Sequence, residues 1–139
     1  MGIKDTVDNI SHTRSICQAV KPVRPDFAVL SGFDEYYIVN RIAGGDGVLC
    51  GLTNVVPELF VRMHASYERG DFAEAIRSAE QIAGLMRIYA VTPLFITGMK
   101  AAVRAAGLPI STYTRAPGTT LTETEDRKIR AILAALEEA

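Results

Sequence analysis

Short apolar runs alternate with amphipathic stretches over the first half of the chain. The runs at residues 1–4, 27–30 and 47–50 are bounded by turn residues and predict three buried β-strands. Between them, apolar positions recur at helical spacing in residues 8–20 and 34–43, which predicts two helices. Because each strand is followed by a helix, this order predicts a parallel sheet that needs cover on both faces.

The second half of the chain is predicted to be helical throughout. Gly70 separates two amphipathic stretches, and Thr122 with Glu125 forms a capping-box pattern before the last one. The predicted helices span residues 57–69, 72–89, 93–106 and 122–138. The chain therefore combines three β/α units with a helical extension.

Composition narrows the classes of function. The 139 residues suffice for one domain, and 48% hydrophobic with 22% charged residues is ordinary for a globular protein. A net charge of −1 makes nucleic acid an unexpected partner, and no apolar run has the length of a membrane span. Cys17 and Cys50 fit neither a metal site nor a disulfide framework, which predicts a reducing cytoplasmic setting.

Lys4 closes the first predicted strand and precedes a helix. In parallel α/β sheets, the carboxyl ends of the strands form the functional end. A lysine buried in an apolar mouth there loses its charge readily, and the free amine can attack a ketone to form a Schiff base. The alternative is an ordinary surface lysine at the end of a strand.

Asp34 and Glu35 follow the second predicted strand at the same end of the sheet. They stand close to Gly32, which would let the backbone approach a small molecule. The simpler alternative is that Asp34 caps the next helix, with Glu35 favoured by the helix dipole. Capping and ligand contact do not exclude each other.

Other polar positions have simpler explanations. The glycine-rich segment 44–47 lacks a P-loop lysine and precedes a strand, which predicts a tight turn at the opposite end of the sheet. Thr6 and Gly51 follow strands at the lysine's end and could bind substrate or start helices. His12 and His64 lie within predicted helices without partners at ligand spacing, so no metal site is expected.

Taken in order, these motifs resemble one enzyme family. Gly-Ile-Lys-Asp at 2–5, Leu-Ser-Gly-x-Asp at 30–34 and Gly-Gly-x-Gly-Val-Leu at 44–49 are similar to motifs of the dihydrodipicolinate synthase / N-acetylneuraminate lyase family. The resemblance covers nearly the whole chain. Residues 2–8 look most like the branch of 2-keto-3-deoxygluconate aldolases.

The resemblance implies a fold class and its division. The chain would be α/β, the C-terminal portion of a (β/α)8 TIM barrel followed by extra C-terminal helices. Residues 1–69 would hold barrel strands six to eight, the last three β/α units. Residues 70–139 would form the C-terminal helical extension, packed on the barrel.

The resemblance also implies a pyruvate-dependent class I aldolase, a lyase acting on a 2-keto-3-deoxy sugar acid. Lys4 takes the imine-forming position, so no metal or organic cofactor is expected beyond the covalent imine with pyruvate. The positions that would bind substrate are Thr6, Gly32, Asp34, Glu35, Leu49 and Gly51. Gly51 departs from sialic-acid lyases, which carry a serine there. A dihydrodipicolinate synthase-type condensation and a family dehydratase are the alternatives.

The same resemblance implies that two parts of the family's active site are missing from this chain. The family's catalytic tyrosine on strand five and its carboxylate-binding loop after strand two have no counterpart here and would precede Met1. We therefore expect a missing N-terminal barrel half as partner, homo-oligomers of the complete barrel, and a nearly inactive isolated chain. A fragment that serves only in assembly is the non-enzymatic alternative.

Overall fold

A computed structural model describes residues 1–137, which form one parallel sheet and a series of helices. The strands lie side by side in the order β1 (Gly2–Asp5), β2 (Ala28–Ser31) and β3 (Gly47–Val48). The helices are α1 (Ile10–Val20), α2 (Tyr37–Ile42), α3 (Pro57–Glu68), α4 (Phe72–Leu85), α5 (Phe95–Ala105) and α6 (Glu123–Glu137). The predicted α/β class and element order are confirmed.

Most predicted bounds shift by one or two residues, and three predicted elements are partly replaced by turns or 3₁₀ segments. The third strand ends at Val48, because the chain then turns toward a 3₁₀ turn at Leu52–Asn54. The helix predicted at 34–43 begins with a 3₁₀ turn, Asp34–Tyr36, before α2. Helix α4 passes into a 3₁₀ segment, Met86–Ala90. The predicted final residue of the last helix, Glu138, lies outside the described residues.

The two faces of the sheet are unequally covered. Asp5 and Ser31 are paired across β1 and β2 and point toward the helices, where both are buried. Because side chains alternate along a strand, Lys4 and Leu30 point to the opposite face. Within residues 1–137, Lys4 on that face is exposed and Leu30 is half-buried. Parallel sheets are normally covered on both sides, whereas the described residues cover one face of this sheet more fully than the other.

The turn before β3 is held by side chains at the amino end of the sheet. The Asp46 carboxylate accepts hydrogen bonds from Lys21 Nζ at 2.7 Å and from the Val29 N–H at 2.7 Å. Asn40, fully buried, accepts a bond from the Gly47 N–H at 2.9 Å. Gly44 ends α2 with φ 93°, a conformation that favours glycine. This turn is structural, as predicted, and lies away from Lys4.

The helical extension shares its core with the β/α units. Buried Tyr37, Leu52 and Phe60 belong to the same apolar cluster as Ile88 of the 3₁₀ segment and Ile129 of α6. The last helix begins with the predicted capping box, in which Thr122 and Glu125 exchange bonds between side chains and backbone N–H groups. In the part of the chain that is described, no helix combines the length and apolarity needed to cross a membrane.

Acid should destabilise the fold through Asp5. Burial by itself would raise the pKa of this carboxyl, but hydrogen bonds from Thr13 Oγ1 (2.7 Å) and His12 Nδ1 (3.0 Å) outweigh burial and lower it. A carboxyl with a lowered folded-state pKa stabilises the protein fully above its unfolded-state pKa of about 3.9. That stability is lost as the pH falls through the folded-state value.

We therefore expect the melting temperature to fall as the pH drops below about 4, and the Asp5→Asn variant to lose less between pH 7 and pH 3 than the wild type does. Thermal unfolding followed by circular dichroism at the two pH values measures the difference. Equal losses in wild type and variant would show that Asp5 does not carry this dependence.

Candidate active site

A cavity of about 560 Å³ opens at the carboxyl end of the sheet. Segments that follow all three strands contribute to its wall, as expected where parallel strands end side by side. Five predicted site residues line it: Lys4, Thr6, Gly32, Asp34 and Gly51. The sequence motifs thus converge on one space.

Lys4 is exposed in this structure, not buried in an apolar mouth as expected from the sequence. Lys4 lies on β1, which is an edge strand of the described sheet, and on the face opposite to buried Asp5, where the described helices leave it exposed. The Lys4 amine therefore remains in contact with water.

Thr6 and Gly32 pack directly against each other at the cavity wall. A Cβ atom built on Gly32 would lie only 2.8 Å from Thr6 Cβ and would overlap with the Thr6 hydroxyl. The absence of a side chain at Gly32 therefore lets the loops after β1 and β2 close together. The Gly32 N–H also donates to the Asp5 carbonyl at 2.7 Å, which ties the two loops.

Asp34 connects three separate segments of the chain. The residue is 2% exposed; its Oδ1 accepts the Leu52 N–H at 2.7 Å, and its Oδ2 accepts the Tyr89 hydroxyl at 2.7 Å. The alternative that Asp34 caps its own helix is wrong, because Phe33 is the N-cap and no side chain bonds there. The carboxylate instead satisfies the first N–H of the 3₁₀ turn after β3.

Tyr89 reaches Asp34 because residue 51 is glycine. A Cβ atom on Gly51 would overlap with the Tyr89 hydroxyl and approach Met99 Cε to 3.0 Å. The Gly51 backbone has φ −78° and ψ −43°, which any residue adopts. The constraint at Gly51 is thus the space beside it and not its backbone conformation.

The helical extension supplies a wall of the cavity that sequence reasoning missed. Met86, Tyr89 and Phe95 line it, and the Tyr89 and Phe95 rings lie 5.7 Å apart between centroids. In the sequence, Tyr89 falls on the apolar stripe of a predicted helix and carries no local sign of a polar role. The only sign of a polar role is the Tyr89 hydroxyl itself, because a buried tyrosine hydroxyl usually requires a hydrogen-bond partner.

Two ionisable side chains beside Asp34 are held in their neutral forms. Burial raises the pKa of the Cys50 thiol, and the charge and hydrogen bond of Asp34 raise it further. Burial likewise raises the pKa of Tyr89, again reinforced by Asp34. Cys50 is therefore no thiolate nucleophile, and Tyr89 keeps the proton that it donates.

The remaining predicted residues lie elsewhere. Glu35 and Leu49 are not among the residues that line the cavity, and Leu49 is 53% exposed on the uncovered side. His12 and His64 pair with Asp5 and with the Tyr37 hydroxyl at 2.7 Å, which gives both structural partners. Among residues 1–137, no group of three His, Cys, Asp or Glu side chains is placed to hold a metal ion.

The fold and site define a class, namely an α/β protein with a lysine at the carboxyl end of a parallel sheet. The chain belongs to the dihydrodipicolinate synthetase family, whose profile matches residues 1–136. The predicted family is thereby confirmed.

Relatives in this family include proteins named as sugar-acid aldolases. The chain is 34% identical over 135 residues to YjhH of Escherichia coli K12, provisionally named a 2-dehydro-3-deoxy-D-pentonate aldolase. It is 30% identical over 137 residues to YagE of the same organism, provisionally named a 2-dehydro-3-deoxy-D-gluconate aldolase. The matches cover 97% and 99% of this chain but 45% of each relative, so the chain spans about half of their length.

The solved structure of YagE in complex with pyruvate superposes on this chain with a TM-score of 0.93 at 29% sequence identity. The match covers 100% of this chain and 47% of YagE. The dihydrodipicolinate synthase of Bacteroides thetaiotaomicron also matches, with a TM-score of 0.87 and 28% identity over 97% of this chain and 46% of the other.

Proposed function

We propose that this chain is the C-terminal portion of a (β/α)8 barrel, with strands six to eight in β1–β3, and that the complete barrel is a class I aldolase. The observation that carries the proposal is the convergence of Lys4, Thr6 and Asp34 on one cavity at the carboxyl end of the sheet. It is supported by the pyruvate complex of YagE, a family member similar over this whole chain. The substrate would be a 2-keto-3-deoxy sugar acid.

In the proposed reaction, the Lys4 amine attacks the C2 carbonyl of the keto acid and expels water to form an imine. The protonated imine accepts the electrons of the C3–C4 bond as it breaks. A base removes the proton of the C4 hydroxyl, so that C4 leaves as an aldehyde. The resulting enamine takes a proton at C3, and hydrolysis releases pyruvate and regenerates Lys4. The imine is the electron sink, so the reaction requires no metal or organic cofactor.

The other barrel half would supply what the open sheet lacks. A layer over the face of Lys4 and Leu30 would remove water from the amine and favour its neutral form. It would also supply the base and the carboxylate-binding loop expected from the family resemblance. Loss of a general base alone costs about 10²- to 10⁴-fold in rate. The isolated chain is therefore expected to release pyruvate only very slowly.

Borohydride trapping tests this proposal. Two samples are compared. One is the chain alone, and the other is the chain mixed with the segment of YagE that precedes the matched region. This mixture is called the reconstituted barrel below. With pyruvate and borohydride, we expect the reconstituted barrel to carry its adduct on Lys4, located by peptide mass mapping. Lys21, Lys100 and Lys128 are controls within the same chain. An adduct spread evenly over the four lysines would overturn the proposal.

A further inference from the structure

The Asp34 carboxylate is already occupied by the protein. Both oxygens accept bonds at 2.7 Å, one from the Leu52 N–H and one from the Tyr89 hydroxyl, and the residue is 2% exposed. A buried carboxylate with two internal donors is a scaffold for the groups that it holds. Its contact with a ligand is therefore secondary to its contact with Tyr89.

The Tyr89 hydroxyl is the group that Asp34 presents to the cavity. A phenol has one hydrogen to donate and lone pairs to accept with. The hydrogen goes to Asp34, and the Gly51 N–H bonds to the oxygen, which leaves a second lone pair as an acceptor in the wall that Tyr89 shares with Lys4. Tyr89 is half-buried and is one of the residues that line the cavity. A ligand hydroxyl is the natural donor to such an oxygen.

The surroundings of Tyr89 restrict which ligand tails fit. Phe33, Met86 and Phe95 make this part of the wall apolar, and among residues 1–137 no arginine lines the cavity. The buried charge of Asp34 disfavours a second carboxylate nearby. A neutral tail with a hydroxyl group fits this wall, whereas a tail that ends in a carboxylate does not.

We propose that Tyr89 is a specificity-determining residue, whose hydroxyl accepts a hydrogen bond from a hydroxyl on the tail of the keto acid. Asp34 is its positioning residue, because it holds the Tyr89 hydroxyl. Gly51 leaves the space that this hydroxyl occupies, because it has no side chain. The proposal rests on the aldolase function proposed above. The role proposed for Tyr89 favours hydroxylated sugar acids as substrates. It disfavours the alternative dihydrodipicolinate synthase-type condensation, in which the tail would be charged.

The substrate part of the proposal is tested in the reconstituted barrel with Tyr89→Phe. We expect the KM for 2-keto-3-deoxy-D-gluconate to rise about tenfold, the effect of one lost hydrogen bond, with kcat little changed. Trapping of pyruvate on Lys4, which involves no tail, should be unaltered. With ¹³Cζ-labelled tyrosine, the Tyr89 resonance should move on adding the sugar acid and not on adding pyruvate.

The outcomes separate this proposal from the aldolase function. An adduct on Lys4 together with an unchanged KM and an unmoved Tyr89 resonance overturns the role of Tyr89 and leaves the aldolase function standing. The absence of any selective Lys4 adduct, with pyruvate or with the sugar acid, overturns both.

The steric part is tested in the 139-residue chain itself. Gly51→Ser should lower the melting temperature, because its Cβ overlaps with the Tyr89 hydroxyl, and adding Tyr89→Phe should restore part of the loss. Gly84→Ser is the matched control, since a Cβ there meets nothing within 4 Å. Equal melting temperatures for the Gly51→Ser and Gly84→Ser variants would contradict the steric role of Gly51.

Discussion

Replacing Lys4 by arginine is expected to abolish the pyruvate adduct and to lower aldol cleavage in the reconstituted barrel by at least about 10³-fold, the scale of loss when a covalent nucleophile is removed. Arginine keeps the positive charge and the length of the side chain, but its guanidinium stays protonated and cannot form the imine. Pyruvate release from 2-keto-3-deoxy-D-gluconate measures the rate.

The matched control is Lys128→Arg, at an exposed position of α6. This change alters neither the cavity nor the sheet and should leave the rate unchanged. If the Lys4→Arg variant still cleaves the sugar acid at the rate of the Lys128→Arg variant, Lys4 is not the nucleophile, and the proposed mechanism is wrong.

The second large effect is expected on stability, from Asp34→Ala. The substitution leaves the Leu52 N–H and the Tyr89 hydroxyl without their partner, and hydrogen bonds to a charged group are each worth about 1.5–3 kcal/mol. We expect a loss of about 3 kcal/mol in the free energy of unfolding, which corresponds to a drop of roughly 10 °C in melting temperature. Urea unfolding of the 139-residue chain measures the first quantity, and a thermal scan the second.

Asp26→Ala is the control for this experiment, since Asp26 pairs with Arg24 at the surface and both side chains are exposed. Exposed pairs contribute little, so this variant should unfold like the wild type. The milder Tyr89→Phe variant removes only one of the two bonds and should fall between them. Similar unfolding of the Asp34 and Asp26 variants would mean that the buried carboxylate does not hold the three segments together.

The two effects concern different functions of one cavity. Lys4 is exposed and is the proposed nucleophile, whereas Asp34 is buried and bonds to the segments around it. Because Asp34 bonds residues on both sides of position 70, the helical extension takes part in the site. We therefore expect a substitution in the extension to alter the cavity without touching the sheet.

The arrangement of elements could be predicted from local patterns. Apolar runs between turn residues located the strands, the capping box of Thr122 and Glu125 located the start of α6, and glycine at 44 located the end of α2. Where these elements begin and end depends on residues that are close together in the sequence, so local patterns were enough to predict it. Parallel order alone then placed the residues after each strand at one end of the sheet.

Other features depended on contacts between distant parts of the chain. Asp34 was interpretable as a helix cap until its partners were seen, and one of them, Tyr89, lies 55 residues away. The exposure of Lys4 and Leu49 follows from which face of the sheet is covered, a property that no local pattern encodes. The space beside Gly51 likewise exists only once the 3₁₀ segment at Met86–Ala90 packs against the sheet end. Local sequence therefore decided the elements and their order, whereas long-range packing decided the partners and exposure of the side chains, because these depend on surfaces that meet only after folding.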